Sequence, residues 1–291
     1  MKLIFFFLIL ATNLWALPDL PSAPKDPSHP GSKIYPFEVE LKKLICQDRD
    51  VFVYLPRDAK SIPAVVFGHG QALGVSHYEQ TLRHLAGKGV AGIYVTYDKG
   101  FFDQDWKRMG RDYVLLVACA LREFPQINSE EIIFSGHSKG AYVAAVAAGV
   151  SEKEKLSVRA QSLILFNPVL GQFETLSDIS PATNLTVVHS DRDTIVKLKV
   201  AREMLESVHS QREQLIILQS YTGRTTTNLD ANHFWSLTKK SAVGGGPESS
   251  FHYFGSWKWL VGGALDERYL FGREATNKGI EGFNDLVERN F

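Results

Sequence analysis

Cysteine is scarce in this chain, which has only Cys46 and Cys119 among its 291 residues. So few thiols exclude a cysteine-rich zinc site and a small disulfide scaffold. The sequence also lacks a pair of histidines spaced as in a helical zinc motif, and a phosphate-binding glycine loop followed by Lys and Ser or Thr. We therefore predict no metal and no cofactor. Cys119 lies in an apolar helical stretch, which favours a buried free thiol over a disulfide with Cys46.

An excess of either charge sign is also lacking. Lys and Arg together number 32, as do Asp and Glu, and no long run of one sign occurs. Because nucleic-acid-binding proteins usually carry a basic face, this balance gives no reason to predict such a partner. Hydrophobic residues make up 44% of the chain, which is ordinary for a globular protein, and the length suits one large domain.

The apolar run at the N-terminus is too short to cross a bilayer comfortably. It extends from Leu3 to Ala11, follows Lys2 and precedes the small residue Ala16. We interpret residues 1–16 as a signal peptide, with a membrane anchor as the alternative. We therefore expect export to a periplasm or secretion, with no stable membrane insertion after cleavage. Residues 17–33 contain five prolines and are predicted to form a tether or an irregular wrap.

The rest of the chain alternates between strand-like and helix-like patterns. Segments 37–41 and 51–55 predict an antiparallel hairpin. Short apolar runs and helical segments then alternate, which predicts an α/β fold with a mostly parallel, doubly wound sheet. The predicted strands cover residues 64–67, 91–95, 132–134, 162–166, 185–188 and 215–218, and the helices 76–88, 105–124, 139–151 and 197–210. Ligand sites in such sheets lie at the carboxyl ends of the strands.

The strongest motif is Gly136-His137-Ser138-Lys139-Gly140, which lies between a buried strand and a helix of small residues. In this context a Gly-x-Ser-x-Gly pentapeptide predicts a nucleophilic serine on a strained turn, with glycines where strand and helix approach closely. The free N–H groups at the start of the helix would then face a developing oxyanion. The motif therefore makes Ser138 the candidate nucleophile.

This layout resembles the α/β-hydrolase superfamily, especially the esterases similar to dienelactone hydrolase, cutinase and platelet-activating-factor acetylhydrolase. The resemblance extends over nearly all of residues 34–291 and implies one catalytic domain with the α/β-hydrolase fold. Members carry the serine, the acid and the histidine in that order along the chain. Asp193, which precedes Thr-Ile-Val, is favoured as the acid, with Asp191 as the alternative. His233, on a loop beyond the apolar run at 215–218, is the expected base.

The resemblance also implies an oxyanion hole made of two backbone N–H groups, those of Lys139 and Gln71. Gln71 lies in a glycine-rich loop after the strand at 64–67. The Lys139 side chain differs from the aliphatic or Gln residue that many such esterases carry there. We predict that it reaches solvent, with a preference for anionic substrates as the alternative.

Together these features predict a serine hydrolase that acts through an acyl-enzyme on a small-molecule or lipid-like carboxylic ester. A thioesterase or a peptidase could use the same three residues, because the triad does not choose the leaving group. A non-catalytic binding member of the fold is a further alternative.

Overall fold

The computed structural model describes residues 20–169, 171, 173–222, 228–242, 244–275, 277 and 287–290. The proposed signal peptide at residues 1–16 lies outside this range, so it and the export of the protein stay predictions. No helix in the described ranges combines the length and the apolar character needed to cross a membrane.

Within the described residues, nine strands form one mixed sheet and two very short strands pair separately. The strands are β1 Val39–Cys46, β2 Arg49–Pro56, β3 Ile62–Gly68, β4 Ala91–Val95, β5 Ile127–His137, β6 Ser162–Phe166, β7 Asn184–Ser190, β8 Glu213–Leu218, β9 Tyr221–Thr222, β10 Asn228–Leu229 and β11 Val287–Asn290. The large sheet has the order β1-β2-β4-β3-β5-β6-β7-β8-β11. Strands β3 to β8 run parallel to one another. The predicted mostly parallel, doubly wound sheet is confirmed.

The predicted N-terminal hairpin is also confirmed. Strands β1 and β2 pair antiparallel with Cys46 opposite Arg49, so the loop between them contains only Gln47 and Asp48. Both loop residues have positive φ, 51° and 60°, as the tightest hairpin turns require. Strand β2 then pairs antiparallel with β4 and so attaches the hairpin to the parallel part of the sheet.

Helices cover both faces of the sheet, as the continuous apolar strands predicted. They are α1 Glu79–Gly87, α2 Trp106–Glu123, α3 Lys139–Glu154, α4 Leu198–Ser207 and α5 Trp257–Leu265. Helices α2, α3 and α4 pack on one face, and α1 and α5 pack on the other. Successive residues of β3 face opposite sides of the sheet. Val66 packs on the side covered by α2, α3 and α4, whereas Val65 and Phe67 pack on the side covered by α1 and α5.

Residues 20–33, the described part of the proline-rich segment, form an irregular wrap rather than a loose tether. Its carbonyl groups accept hydrogen bonds from the body of the protein. Lys88 Nζ donates to the carbonyl oxygens of Pro27, His29 and Ile34, at 3.0 to 3.2 Å. His84 Nε2 donates to the carbonyl oxygen of Pro30 at 2.7 Å. The His84 side chain is therefore buried beneath this segment.

Cys46 and Cys119 form a disulfide, so the favoured prediction that Cys119 is a free thiol is wrong. The disulfide links the end of β1 to helix α2, with the two Cα atoms 6.3 Å apart. An apolar helical context indicates that Cys119 packs inward. It does not indicate that a strand 73 residues earlier ends beside it, because that proximity depends on the order of strands in the sheet.

Candidate active site

Ser138 lies on a sharp turn between β5 and α3. Its backbone has φ 56° and ψ −120°, a conformation that non-glycine residues rarely adopt. Close backbone contacts explain why glycine stands at positions 136 and 140, on either side of Ser138. A Cβ at Gly140 would lie 2.2 Å from the Gly68 backbone, and one at Gly136 would lie 2.5 Å from the Gly140 carbonyl carbon. The motif therefore brings the Ser138 turn into direct contact with the end of β3.

His233 reaches the same place from a distant loop. Its Nε2 lies 2.8 Å from Ser138 Oγ, and its Nδ1 lies 2.7 Å from Asp193 Oδ2. Because a carboxylate can only accept, Nδ1 carries the proton that it donates to Asp193, and Nε2 of the neutral ring accepts from the Ser138 hydroxyl. The side chains of His233 and Asp193 are 4% and 0% exposed, so the ion pair between them is buried.

The two candidate acids lie in different surroundings. Asp193 Oδ1 accepts from the backbone N–H groups of Ile195 and Val196, both at 2.8 Å, while Oδ2 faces His233. Asp191 is exposed, and its Oδ1 accepts from Ser220 N at 3.0 Å and from Ser220 Oγ at 2.7 Å. Asp191 thus shapes the neighbouring turn.

Asp193 is held in its charged form. Burial by itself would raise the pKa of Asp193, but hydrogen bonds from His233, from Val196 N–H and from Asn167 outweigh this effect and lower the pKa to about 2. The carboxylate therefore stays ionised at neutral pH.

Asn167 supports this arrangement, a role that sequence reasoning missed. Its Nδ2 donates to Asp193 Oδ2 and to Ser190 Oγ, and its Oδ1 accepts from Trp235 Nε1 at 2.9 Å. The residue is fully buried and has φ 46°. Its position directly after β6 was the available signal, because polar side chains at the carboxyl ends of parallel strands converge on one edge of the sheet.

The loop after β3 lies beside the Ser138 turn, as the oxyanion-hole prediction requires. A Cβ at Gly140 would lie 2.6 Å from the His69 carbonyl oxygen, which shows how closely the two backbones approach. Gln71 and Ser138 line the same cavity. The Gln71 side chain is directed elsewhere, since Nε2 donates to the Phe101 carbonyl oxygen at 2.7 Å.

The predicted solvent exposure of the Lys139 side chain is wrong. The side chain is 4% exposed, and Nζ lies 3.2 Å from Asp98 Oδ2, in a side chain that is itself 13% exposed. Asp98 follows β4, and β4 lies next to β3 in the sheet, so the carboxylate lies close enough to the Ser138 turn to reach Lys139. A buried cation needs such a partner, and the sequence does not indicate which acid supplies it.

The family model described as Chlorophyllase matches residues 31–190, which is more than half of the chain. This chain belongs to the chlorophyllase family. No curated protein matches it. Membership confirms the α/β-hydrolase fold and the resemblance to esterases of that superfamily, and it makes the protein an esterase of the α/β-hydrolase type.

The match to the chlorophyllase family includes Gln71, Ser138 and Lys139 and ends just before Asp193. His233 also lies beyond it. The roles of Asp193 and His233 therefore depend on the geometry described above and not on the matched segment.

The cavity in front of Ser138 has a volume of about 480 Å³ and a largely apolar lining. Its walls are formed by Gly70, Gln71, Ala72, Leu73, His77, Phe101, His137, Ser138, Val169, Ile195, His233, Phe234, Ser241 and Ala242. Two lining residues, Phe101 and Ile195, are more than half exposed. No Lys, Arg, Asp or Glu is among the described residues of the lining. In this member of the chlorophyllase family, the cavity therefore suits a neutral, apolar group.

Proposed function

We propose that this member of the chlorophyllase family is a serine esterase that cleaves carboxylic esters carrying an apolar group. The observation that carries the proposal is the continuous chain of hydrogen bonds from Asp193 through His233 to Ser138 Oγ, at 2.7 and 2.8 Å. A hydroxyl bonded to a buried imidazole that is itself held by a carboxylate is the arrangement that activates a serine.

The reaction follows from these positions. As Ser138 Oγ attacks the ester carbonyl carbon, His233 Nε2 takes the hydroxyl proton and becomes an imidazolium stabilised by Asp193. The backbone N–H groups of Lys139 and Gln71 bind the oxyanion of the tetrahedral intermediate, each contributing about 3 kcal/mol to lowering the barrier.

The intermediate then collapses, the C–O bond to the alcohol breaks, and His233 gives its proton to the departing oxygen. This leaves Ser138 as an acyl ester. Water next attacks the acyl carbon while His233 accepts its proton, and the acid product leaves as that proton returns to Ser138 Oγ. Atoms and charges balance over the cycle, with one water consumed.

The cavity supports a substrate with a bulky apolar portion, because its lining offers mainly aliphatic and aromatic contacts and its mouth exposes Phe101 and Ile195. We therefore expect activity to rise along a p-nitrophenyl ester series from acetate to octanoate. The family name directs a further assay to chlorophyll, which is an ester of a long apolar alcohol. A matching thioester and an amide would show which leaving groups are accepted.

A fluorophosphonate probe tests the nucleophile. We expect the wild type to be labelled and Ser138→Ala to be silent. Ser135→Ala is a matched control, because Ser135 lies on the same strand and its Oγ donates to the Ile164 carbonyl oxygen. It should be labelled like the wild type. A folded wild type that neither reacts with the probe nor turns over any ester would refute the proposal and favour a binding role.

The acid is tested by comparing Asp193→Asn with Asp191→Asn. The first change should lower kcat on the order of 10³–10⁴-fold, because the amide no longer holds the productive tautomer of His233. The second should leave kcat within about threefold, since surface changes away from the reacting groups have small effects. A larger loss in Asp191→Asn would show that the acid is misassigned.

A further inference from the structure

Three buried hydrogen bonds connect the loops that carry the candidate catalytic groups. Gly70 N–H donates to Tyr78 Oη at 2.9 Å, Tyr78 Oη lies 3.0 Å from His137 Nδ1, and His137 Nε2 lies 2.8 Å from the His233 carbonyl oxygen. This set of bonds, here called the Tyr78–His137 network, joins the loop after β3 to the His233 loop. It includes His137, the residue directly before Ser138.

The direction of each bond follows from the chemistry of the groups. The His233 carbonyl can only accept, so His137 Nε2 carries a proton and donates it. Burial lowers the pKa of His137 to about 3, so the ring is neutral and its Nδ1 is an acceptor. Tyr78 Oη must therefore donate to Nδ1 while it accepts from Gly70 N–H. Every polar atom of the two side chains then has a partner.

The network is closely packed as well as bonded. Tyr78 and His137 are both fully buried. A Cβ at Gly70 would lie 2.9 Å from His137 Nδ1 and 3.3 Å from Tyr78 Oη, so only glycine allows this approach without displacement. The rings of His137 and His233 lie 4.9 Å apart. A small movement of either side chain would therefore be transmitted to the two loops.

We propose that Tyr78 and His137 are positioning residues for the ester hydrolysis proposed above, an inference that rests on that function. Through its bond to the His233 carbonyl, His137 holds the imidazole so that Nε2 faces Ser138 Oγ. Through its bond from Gly70 N–H, Tyr78 holds the loop so that the next residue, Gln71, presents its own N–H to the oxyanion. One buried network thus aligns the base and the oxyanion hole together.

Tyr78→Phe tests the Tyr78 end of the network, because it removes one oxygen and keeps the ring. We expect kcat per fluorophosphonate-labelled serine to fall about tenfold, with KM within about twofold, since misalignment affects the transition state more than ground-state binding. Tyr113→Phe is the matched control. Tyr113 is equally buried, and its hydroxyl donates to the carbonyl oxygens of Val66 and Ser135. It should lose stability but keep kcat per labelled serine.

The His137 end is tested by rescue. The amide N–H of Gln can replace the donor at Nε2, whereas Leu cannot donate. We expect kcat to fall about 100-fold in His137→Leu and only about tenfold in His137→Gln. His84→Leu, which changes an equally buried histidine bonded to Pro30, controls for the loss of a buried imidazole and should keep kcat per labelled serine.

The outcomes separate the two proposals. If the wild type reacts with the probe and hydrolyses esters, but Tyr78→Phe matches Tyr113→Phe and His137→Gln matches His137→Leu in kcat, the positioning role is refuted and the esterase proposal stands. If the wild type shows neither labelling nor hydrolysis, the esterase proposal fails and the positioning role fails with it. Selective loss of kcat in Tyr78→Phe, with partial rescue by Gln, supports the positioning role.

Discussion

The buried ion pair between Lys139 and Asp98 gives a sharp prediction about stability. Asp98→Asn removes the negative charge with little change in shape. It leaves the ammonium group of Lys139, in a side chain that is 4% exposed, without a charged partner. At the observed separation of 3.2 Å, Coulomb's law with an effective dielectric constant of about 20 gives an attraction of about 5 kcal/mol. The amide oxygen can still accept one hydrogen bond from Nζ and recovers part of this. We therefore expect the free energy of unfolding to fall by about 3 kcal/mol.

Urea unfolding at pH 7, followed by circular dichroism, measures this loss. Glu203→Gln provides a matched control, because Glu203 Oε1 lies 3.3 Å from Lys199 Nζ in a pair where the lysine is 80% exposed. At nearly the same distance, that exposed pair should contribute less than about 0.5 kcal/mol. The double change Lys139→Met with Asp98→Leu removes both charges and should recover most of the stability lost in Asp98→Asn.

The comparison isolates burial as the cause. If Asp98→Asn costs no more than Glu203→Gln, the Lys139 ammonium is solvated in the folded protein and the reasoning is wrong. If the double change is as unstable as Asp98→Asn, the lost stability comes from packing and not from an uncompensated charge.

Two further predictions concern the disulfide and the response to acid. Replacing Cys46 and Cys119 together by alanine should lower the free energy of unfolding by about 4 kcal/mol, because the disulfide closes a segment with a sequence separation of 73; equal urea midpoints for the variant and the oxidised wild type would contradict this. The lowered pKa of Asp193, about 2, means that the unfolded chain binds a proton at this residue before the folded protein does. The stabilisation is therefore complete above about pH 5 and is lost as the pH falls towards 2. The stability difference between the wild type and Asp193→Asn should shrink by about 2 kcal/mol over that range, and a constant difference would refute the assigned pKa.

The sequence by itself determined the local features of this protein. Continuous apolar runs predicted strands covered on both faces, and the structure confirms the α/β sheet with its N-terminal hairpin. The glycine-bracketed Ser138 predicted a strained turn, because the positive φ of Ser138 and the close approach of Gly136 to Gly140 concern neighbours in the chain. The structure also brings Asp193 and His233 to this turn, and their catalytic roles stay predictions.

Only the tertiary structure decided which distant groups meet. Lys139 is paired with Asp98 because β4 lies beside β3 in the sheet. Cys46 reaches Cys119 because the turn of the β1–β2 hairpin lies beside helix α2. His137 and Tyr78 are 59 positions apart, and neither residue type indicates the other as its partner. A buried polar group must find a partner, but its residue type does not specify that partner. The order of strands in the sheet does.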